Sequence, residues 1–198
     1  MWNSAAVYDG LALNDGLRKG PDLLNSLFLT LISWRLHPIA LMGDIKKMFN
    51  QVQISSSDRA YHRFLWRDGD SNAPAKDYQW KRLPFGDKSA PDLAISALHF
   101  IADEHINNYP FAAHVLKDCC YMDNIAFSIN SEHTAIQTKE EVNAILSSGK
   151  FSVKSSHSNS KLADEFPDSA VTRAGLSWCG ARSKISCGAL IFAGMKGN

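Results

Sequence analysis

Two aspartates, Asp44 and Asp123, each stand at the end of an apolar run, the placement a divalent-cation site requires. Asp44 closes Pro38-Ile39-Ala40-Leu41-Met42-Gly43. Asp123 lies in the polar tip Tyr121-Met122-Asp123-Asn124, between Val115–Cys120 and Ile125-Ala126-Phe127-Ser128-Ile129. Hard cations such as Mg²⁺ take oxygen ligands and favour carboxylates that the backbone holds in place, which strand ends do well. An aspartate that closes a strand is also a common cap for the turn that follows, so each carboxylate means little alone and the pair means more.

The elements that must position them follow from periodicity. Val115–Cys120 and Ile125–Ile129 read as the two arms of a β-hairpin with Asp123 at its apex, and the run ending at Asp44 reads as a second strand leading into a short helical segment. Pro21 at a first helical position, with Leu23, Leu24, Leu27, Phe28, Leu31 and Trp34, predicts a helix that stops before His37-Pro38. Arg63–Arg67 and Tyr78–Leu83 read as two strands around the polar loop Asp68–Asp77. Ser89 is placed to cap a helix starting near Pro91 and continuing through Ala94, Ile95, Leu98, Ile101, Ala102 and Ile106. A further helix runs through Ile136, Val142, Ile145 and Leu146 to Gly149, a strand follows over Gly149–Lys154, and Ser155–Pro167 reads as loop. Val7-Tyr8-Asp9 reads either as a strand or as a frayed terminus.

The totals bound the class. With 198 residues, 45% apolar and 21% charged, the chain can bury a core as one soluble globular domain. A net charge of +1 lacks the basic excess of a self-sufficient nucleic-acid binder. Lys46, Lys47, Arg59, Arg63, Arg67, Lys81 and Arg82 do gather in one third of the chain, as a phosphate-facing surface or as a solvated face. Cys119, Cys120, Cys179 and Cys187 form no Cys-x-x-Cys pair and read as reduced thiols of an intracellular protein. A zinc site of Cys179, Cys187 and His157 is the minor alternative. His99 and His105 are six apart, which does not put both on one helical face. No stretch approaches the roughly 20 apolar residues of a membrane span, and the N-terminus lacks a targeting layout.

Four stretches in order carry a resemblance. Tyr121-Met122-Asp123-Asn124 is similar to the Tyr-x-Asp-Asp signature of reverse transcriptases, with Asn124 in place of the second aspartate. Asp44-Ile45-Lys46-Lys47-Met48-Phe49-Asn50-Gln51-Val52 resembles the other half of that site, an aspartate followed five residues later by an aromatic. Arg63–Asp70 and Leu13–Leu24 narrow the resemblance to the Bel/Pao class of LTR retrotransposons, and it runs from about Val7 to Trp178. The implied fold class is α+β: a palm with an antiparallel sheet backed by helices, plus a truncated fingers region. Residues 1–43 and 55–84 would be fingers-like, 44–54 and 85–178 palm-like, and 179–198 a poorly matched tail of the single domain 1–198.

The resemblance implies an RNA-directed DNA polymerase fragment of a retrotransposon pol polyprotein. Asp44, Asp123 and Asn124 would be catalytic, with Asp44 and Asp123 holding Mg²⁺ (or Mn²⁺) for two-metal nucleotidyl transfer. Phe49, Phe85, Gly86, Tyr121, Met122 and Lys154 would surround the nucleotide. Phe49 would lie beneath the incoming sugar, Phe85-Gly86 against the nascent base pair and Lys154 near the leaving pyrophosphate. Val171–Trp178 resembles the hairpin that holds the primer end. Partners would be an RNA or DNA template with a DNA primer, deoxynucleoside triphosphates and further polyprotein domains, in the cytoplasm or in retrotransposon particles. Three departures weaken the expected catalysis. Asn124 removes a negative charge, Ser89-Ala90-Pro91 lacks one hydroxyl of the family's Ser-Ser-Pro, and no helical bundle of a thumb follows Trp178. The alternative is a non-catalytic remnant that binds nucleic acid or protein.

Overall fold

A computed structural model describes residues 2–161. Its centre is a four-stranded antiparallel sheet ordered β6-β7-β3-β8, made of β3 (Ile39–Ile45), β6 (Cys120–Tyr121), β7 (Asn124–Ile129) and β8 (Val153–Ser158). β3 pairs with β7 from Ile39↔Ile129 to Asp44↔Asn124, and on its other side with β8 from Leu41↔Ser158 to Ile45↔Val153. Two small ladders lie outside it: β1 (Val7–Tyr8) with β2 (Leu11–Ala12), and β4 (Arg63–Trp66) with β5 (Lys76–Gln79). The strand reading of Val7-Tyr8 therefore holds.

Successive strand residues face opposite sides of a sheet, and that alternation assigns the two faces. Leu41 and Ile45 of β3 and Ile125 and Phe127 of β7 enter the main core. Helices α4 (Ala90–Glu104), α5 (Pro110–Asp118) and α6 (Glu132–Ser148) cover that side with Leu98, Leu116, Ile145 and Leu146, each at most 1% exposed. The intervening residues Ala40 and Ala126 meet Trp34 at the end of α2 (Leu27–Ser33), with Leu31 and Met42 alongside. Asp44 and Asn124 belong to this second set, at the end of the sheet away from Ala40 and Ala126. The short helices α1 (Leu13–Gly16) and α3 (Met48–Gln51) complete the elements used below.

Several sequence readings shift. Val115–Asp118 belongs to α5, so only Cys120-Tyr121 forms the first arm of the hairpin. Ala112, Ala113, Val115 and Leu116 are all buried on one helical face with Pro110 in the first turn, a period a short apolar run does not reveal. The first long helix begins at Leu27, not Pro21. Ser26 accepts from the Leu29 N–H, and the Asn25 amide donates to the Lys117 and Cys120 carbonyls at 2.8 Å each, which holds the preceding stretch out of helix. The second outer strand is Lys76–Gln79, because Trp80–Leu83 turns away: Leu83 N–H donates to Val52 O and Gln53 bridges to Arg82. The last strand runs Val153–Ser158, so Ser155–Ser158, read as loop, is strand. Its serines fit because β8 is at the edge of the sheet among the described residues, and Ser158 Oγ donates to Ala40 O. Ser89 stands at the start of α4 without a side-chain capping bond. Cys179, Cys187 and the Val171–Trp178 hairpin lie outside the described residues.

Candidate active site

Asp44 occupies the centre of the arrangement because β3 is an inner strand. Its register partners are Asn124 on one side and Ser155 on the other. Gly43 lets β8 approach: a Cβ there would come within 3.3 Å of the Val153 side chain and 3.8 Å of Ser155 O. The ladder between β3 and β8 shifts register at Asp44/Ile45, where Ser155 and Val153 are the paired residues and Lys154 is the extra one. A bulge of this kind re-aims a side chain and bends its strand. Nothing local in Phe151-Ser152-Val153-Lys154-Ser155 signals it.

Asp123 is carried by the tight turn between β6 and β7. Tyr121 and Asn124 pair across it, leaving Met122 and Asp123 as a two-residue tip. Met122 adopts φ +55°, a left-handed conformation that is strained for a residue with a side chain. Its side chain offsets part of that cost by packing against the main core. The Ile45 N–H donates to Asp123 O at 2.8 Å, so the turn is bonded to the residue after Asp44. The Asn124 amide donates to Asp123 Oδ1 at 3.1 Å.

The structure therefore brings Asp44, Asp123, Asn124 and Lys154 together from three strands and one turn. Burial pushes the Asp44 carboxyl above the usual carboxylate range, the Asp123 charge pushes it further, and Lys154 opposes both. Asp123 is likewise raised, chiefly by burial, and lowered in part by a backbone hydrogen bond and by Lys154. A carboxylate pair that destabilises its own charge is one that a dication relieves. The donor set of two carboxylates and an amide oxygen suits a hard cation. Among the described residues no cluster of three or more His, Cys, Asp or Glu forms.

Of the expected nucleotide residues, Phe49 and Phe85 are in direct contact. Phe49, 7% exposed, lies in α3 just beyond Asp44, and its ring centroid is 4.8 Å from that of Phe85, which is 59% exposed. Gly86 adopts φ +101°, a conformation that favours glycine. Tyr121 and Met122 are half-buried beside Asp123. The outer ladder's cations are partly spent within it: Arg63 pairs with Asp77, Lys76 lies 2.7 Å from Asp68, and Arg67 donates to Ser71 O. The surface is a solvated charged face to that extent.

The family model described as "Reverse transcriptase (RNA-dependent DNA polymerase)" matches residues 30–165. Among the solved structures similar to this chain are two of a foamy viral enzyme. One is the foamy viral protease-reverse transcriptase in complex with an RNA/DNA hybrid, at TM-score 0.56 and 20% identity, covering 72% of this chain and 17% of that one. The other is the foamy viral protease-reverse transcriptase dRH in complex with double-stranded DNA, again at TM-score 0.56 and 20% identity, covering 72% of this chain and 22% of that one. The chain thus spans about a fifth of each. No curated protein matches the sequence.

Proposed function

The chain belongs to the reverse transcriptase (RNA-dependent DNA polymerase) family, and from that premise we propose that it is the polymerase region of a Bel/Pao-type retrotransposon pol polyprotein. The observation that carries the proposal is the convergence of Asp44 and Asp123, 79 positions apart in sequence, on neighbouring strand ends where the Lys154 charge acts on both. The sheet, with the Ile39–Gly43 stretch that the sequence grouped with the fingers, would be the palm, and the two outer ladders would belong to the fingers.

Asp44 and Asp123 would hold Mg²⁺ or Mn²⁺, which when bound lowers the pKa of a primer hydroxyl and balances charge on the phosphate oxygens. The protein's share is geometric. Strands β3 and β7 fix the two carboxylates, and Lys154 places a positive charge where a leaving pyrophosphate gathers negative charge. Phe49, buried from behind, would set a floor under the incoming sugar and exclude a 2′-hydroxyl by bulk. Phe85 and Gly86 would pack on the nascent base pair, and Tyr121 and Met122 would flank the nucleotide. The substrates would be deoxynucleoside triphosphates on a primed RNA or DNA template, in the cytoplasm or in a retrotransposon particle. The foamy viral structures were determined with RNA/DNA hybrid and with double-stranded DNA, which supports a nucleic-acid partner of that kind.

Asn124 sets the expected level of activity. Its amide donates to Asp123 Oδ1, an oxygen that a cation would need, and it brings no charge of its own. Removing one preorganised electrostatic group commonly costs about 10²–10³ in rate. The same bond favours a second reading, a non-catalytic remnant that binds nucleic acid or protein. Primer extension with Mg²⁺ or Mn²⁺ separates the two. Extension that Asp123→Ala abolishes supports the polymerase, and no extension even from Asn124→Asp supports the remnant.

A further inference from the structure

The loop that presents Phe85 is gripped from the far end of the chain. Asp87, 3% exposed, accepts through Oδ1 from the indole N–H of Trp2 at 2.9 Å and from the Ser4 hydroxyl, while His62 Nδ1 lies 2.9 Å from its Oδ2. Asn14 takes hold of the same loop by its backbone: its amide donates to Gly86 O at 3.0 Å, and its Oδ1 accepts from the Lys88 N–H at 2.8 Å. The two grips are tied together, since the Asn14 N–H donates to Ser4 O at 3.0 Å. Trp2 also meets Phe64 and Trp80 edge-on, with centroids 6.4 and 6.2 Å away. Its packing thus continues onto the outer ladder.

Buried carboxylates cost folding free energy unless their oxygens are partnered. An aspartate in a loop whose Oδ1 takes two hydrogen bonds from residues 2 and 4, with the His62 ring close against its other oxygen, is therefore a fixed point of that loop. Asn14 contacts one backbone group on either side of it, a bidentate contact that fixes orientation as well as distance. What these bonds hold still is the backbone around Gly86, whose φ of +101° most side chains would avoid. The next residue back is Phe85, whose ring rests on Phe49 while more than half of its surface is open.

We propose that Asn14 and Asp87 are positioning residues, through which the segment Trp2–Asn14 clamps the Phe85–Lys88 loop and so sets how tightly the site takes a deoxynucleotide. The proposal rests on the polymerase reading for its nucleotide. The clamp itself does not depend on that reading. Without the clamp the loop would sample other backbone conformations, and the binding energy of a nucleotide would be spent on reordering it.

Asn14→Ala and Trp2→Phe test this in the full chain. The first removes both backbone contacts, and the second keeps a ring on Phe64 and Trp80 while losing only the N–H to Asp87. Both should melt within a few degrees of the parent. Amide hydrogen exchange over Phe85–Lys88 should accelerate by about tenfold in Asn14→Ala. In primer extension the KM for the nucleotide should rise by about fivefold, more than kcat falls. Unchanged exchange at Lys88 overturns the clamp whatever the catalytic result. Accelerated exchange with an unchanged KM overturns its role in nucleotide binding. A parent chain that neither binds nor incorporates nucleotide removes the polymerase reading and that role with it, while the exchange data still decide the clamp.

Discussion

Asp44 and Asn124 face each other across the ladder between β3 and β7, and this pairing determines where Asp123 must be. Asp123 precedes Asn124 and is bonded through its carbonyl to the Ile45 N–H, so the carboxylates of residues 44 and 123 cannot part without breaking the end of the ladder. The fold holds two like charges together, and the consequence is an electrostatic cost that chemistry elsewhere must repay.

That cost has a sign that stability measurements read directly. Both carboxyls have folded-state pKa values raised above the ordinary value, so between the two values the native state binds more protons than the unfolded state. Stability contributed by these groups is then largest at low pH and falls as pH rises through the raised values, levelling off above them. Asp44→Asn and Asp123→Asn should each raise Tm at neutral pH in a chelating buffer, with the gain shrinking as pH falls towards 4. Added Mg²⁺ should raise the Tm of the parent by mass action and leave the variants less affected. A fall in Tm for both variants at neutral pH would show that the carboxylates stabilise the fold through contacts of their own.

Asn124→Asp changes the same site in the opposite direction. It removes the amide bond to Asp123 and adds a third charge, so the metal-free protein should lose stability while Mg²⁺ binding tightens. If the site is a polymerase site, extension should rise by about 10²–10³. Isothermal titration with Mg²⁺ and single-nucleotide extension check the two halves separately. Affinity that fails to increase would mean that residue 124 does not face the cation.

How much of this was legible in the residues depends on period. Ile39–Asp44 and Asn124–Ile129 are short apolar runs buried on both faces of the sheet, so their strand character and the proximity of the two aspartates could be read from pattern and motif. The arm before Asp123 could not, because Val115-Leu116 and Cys119-Cys120 are equally apolar and only tertiary packing decides that the first pair is helical. The β8 serines carry no strand signal; pairing with β3 alone makes Ser155–Ser158 extended. Asp87 and Asn14 were invisible for a related reason. A buried carboxylate held by partners 83 and 85 positions away has no local signature.

The two adjacent thiols offer a test of the hairpin's interior. Burial, with Asp118 adding to it, pushes Cys119 up to about 11, and burial pushes Cys120 higher still. Thiolate is the reactive form, so at pH 7.5 both should alkylate far more slowly in the native chain than after denaturation, with Cys120 the slower. Site-resolved mass spectrometry after timed iodoacetamide treatment measures this. Rapid native labelling of Cys120 would contradict its position beneath β7 and α5.

Phe49 is buried on the core side and touches exposed Phe85 on the other. Phe49→Ala should destabilise the fold by about 3–5 kcal/mol through the cavity it leaves, which would mask any effect on nucleotide choice. Phe49→Leu keeps most of the volume and is the better probe. In a double-mutant cycle with Phe85→Leu, the two rings should show a coupling of roughly 0.5–1.5 kcal/mol, the range for aromatic pairs. Coupling near zero would mean that the ring contact contributes nothing to stability, and the Phe85 loop would then depend on its polar contacts alone. Within the polymerase reading, Phe49→Leu should also narrow the preference for deoxyribonucleotides over ribonucleotides, since a smaller floor leaves room for the 2′-hydroxyl. Measuring both quantities on the same variants separates a packing role from a selective one, because loss of coupling does not by itself alter which sugar fits.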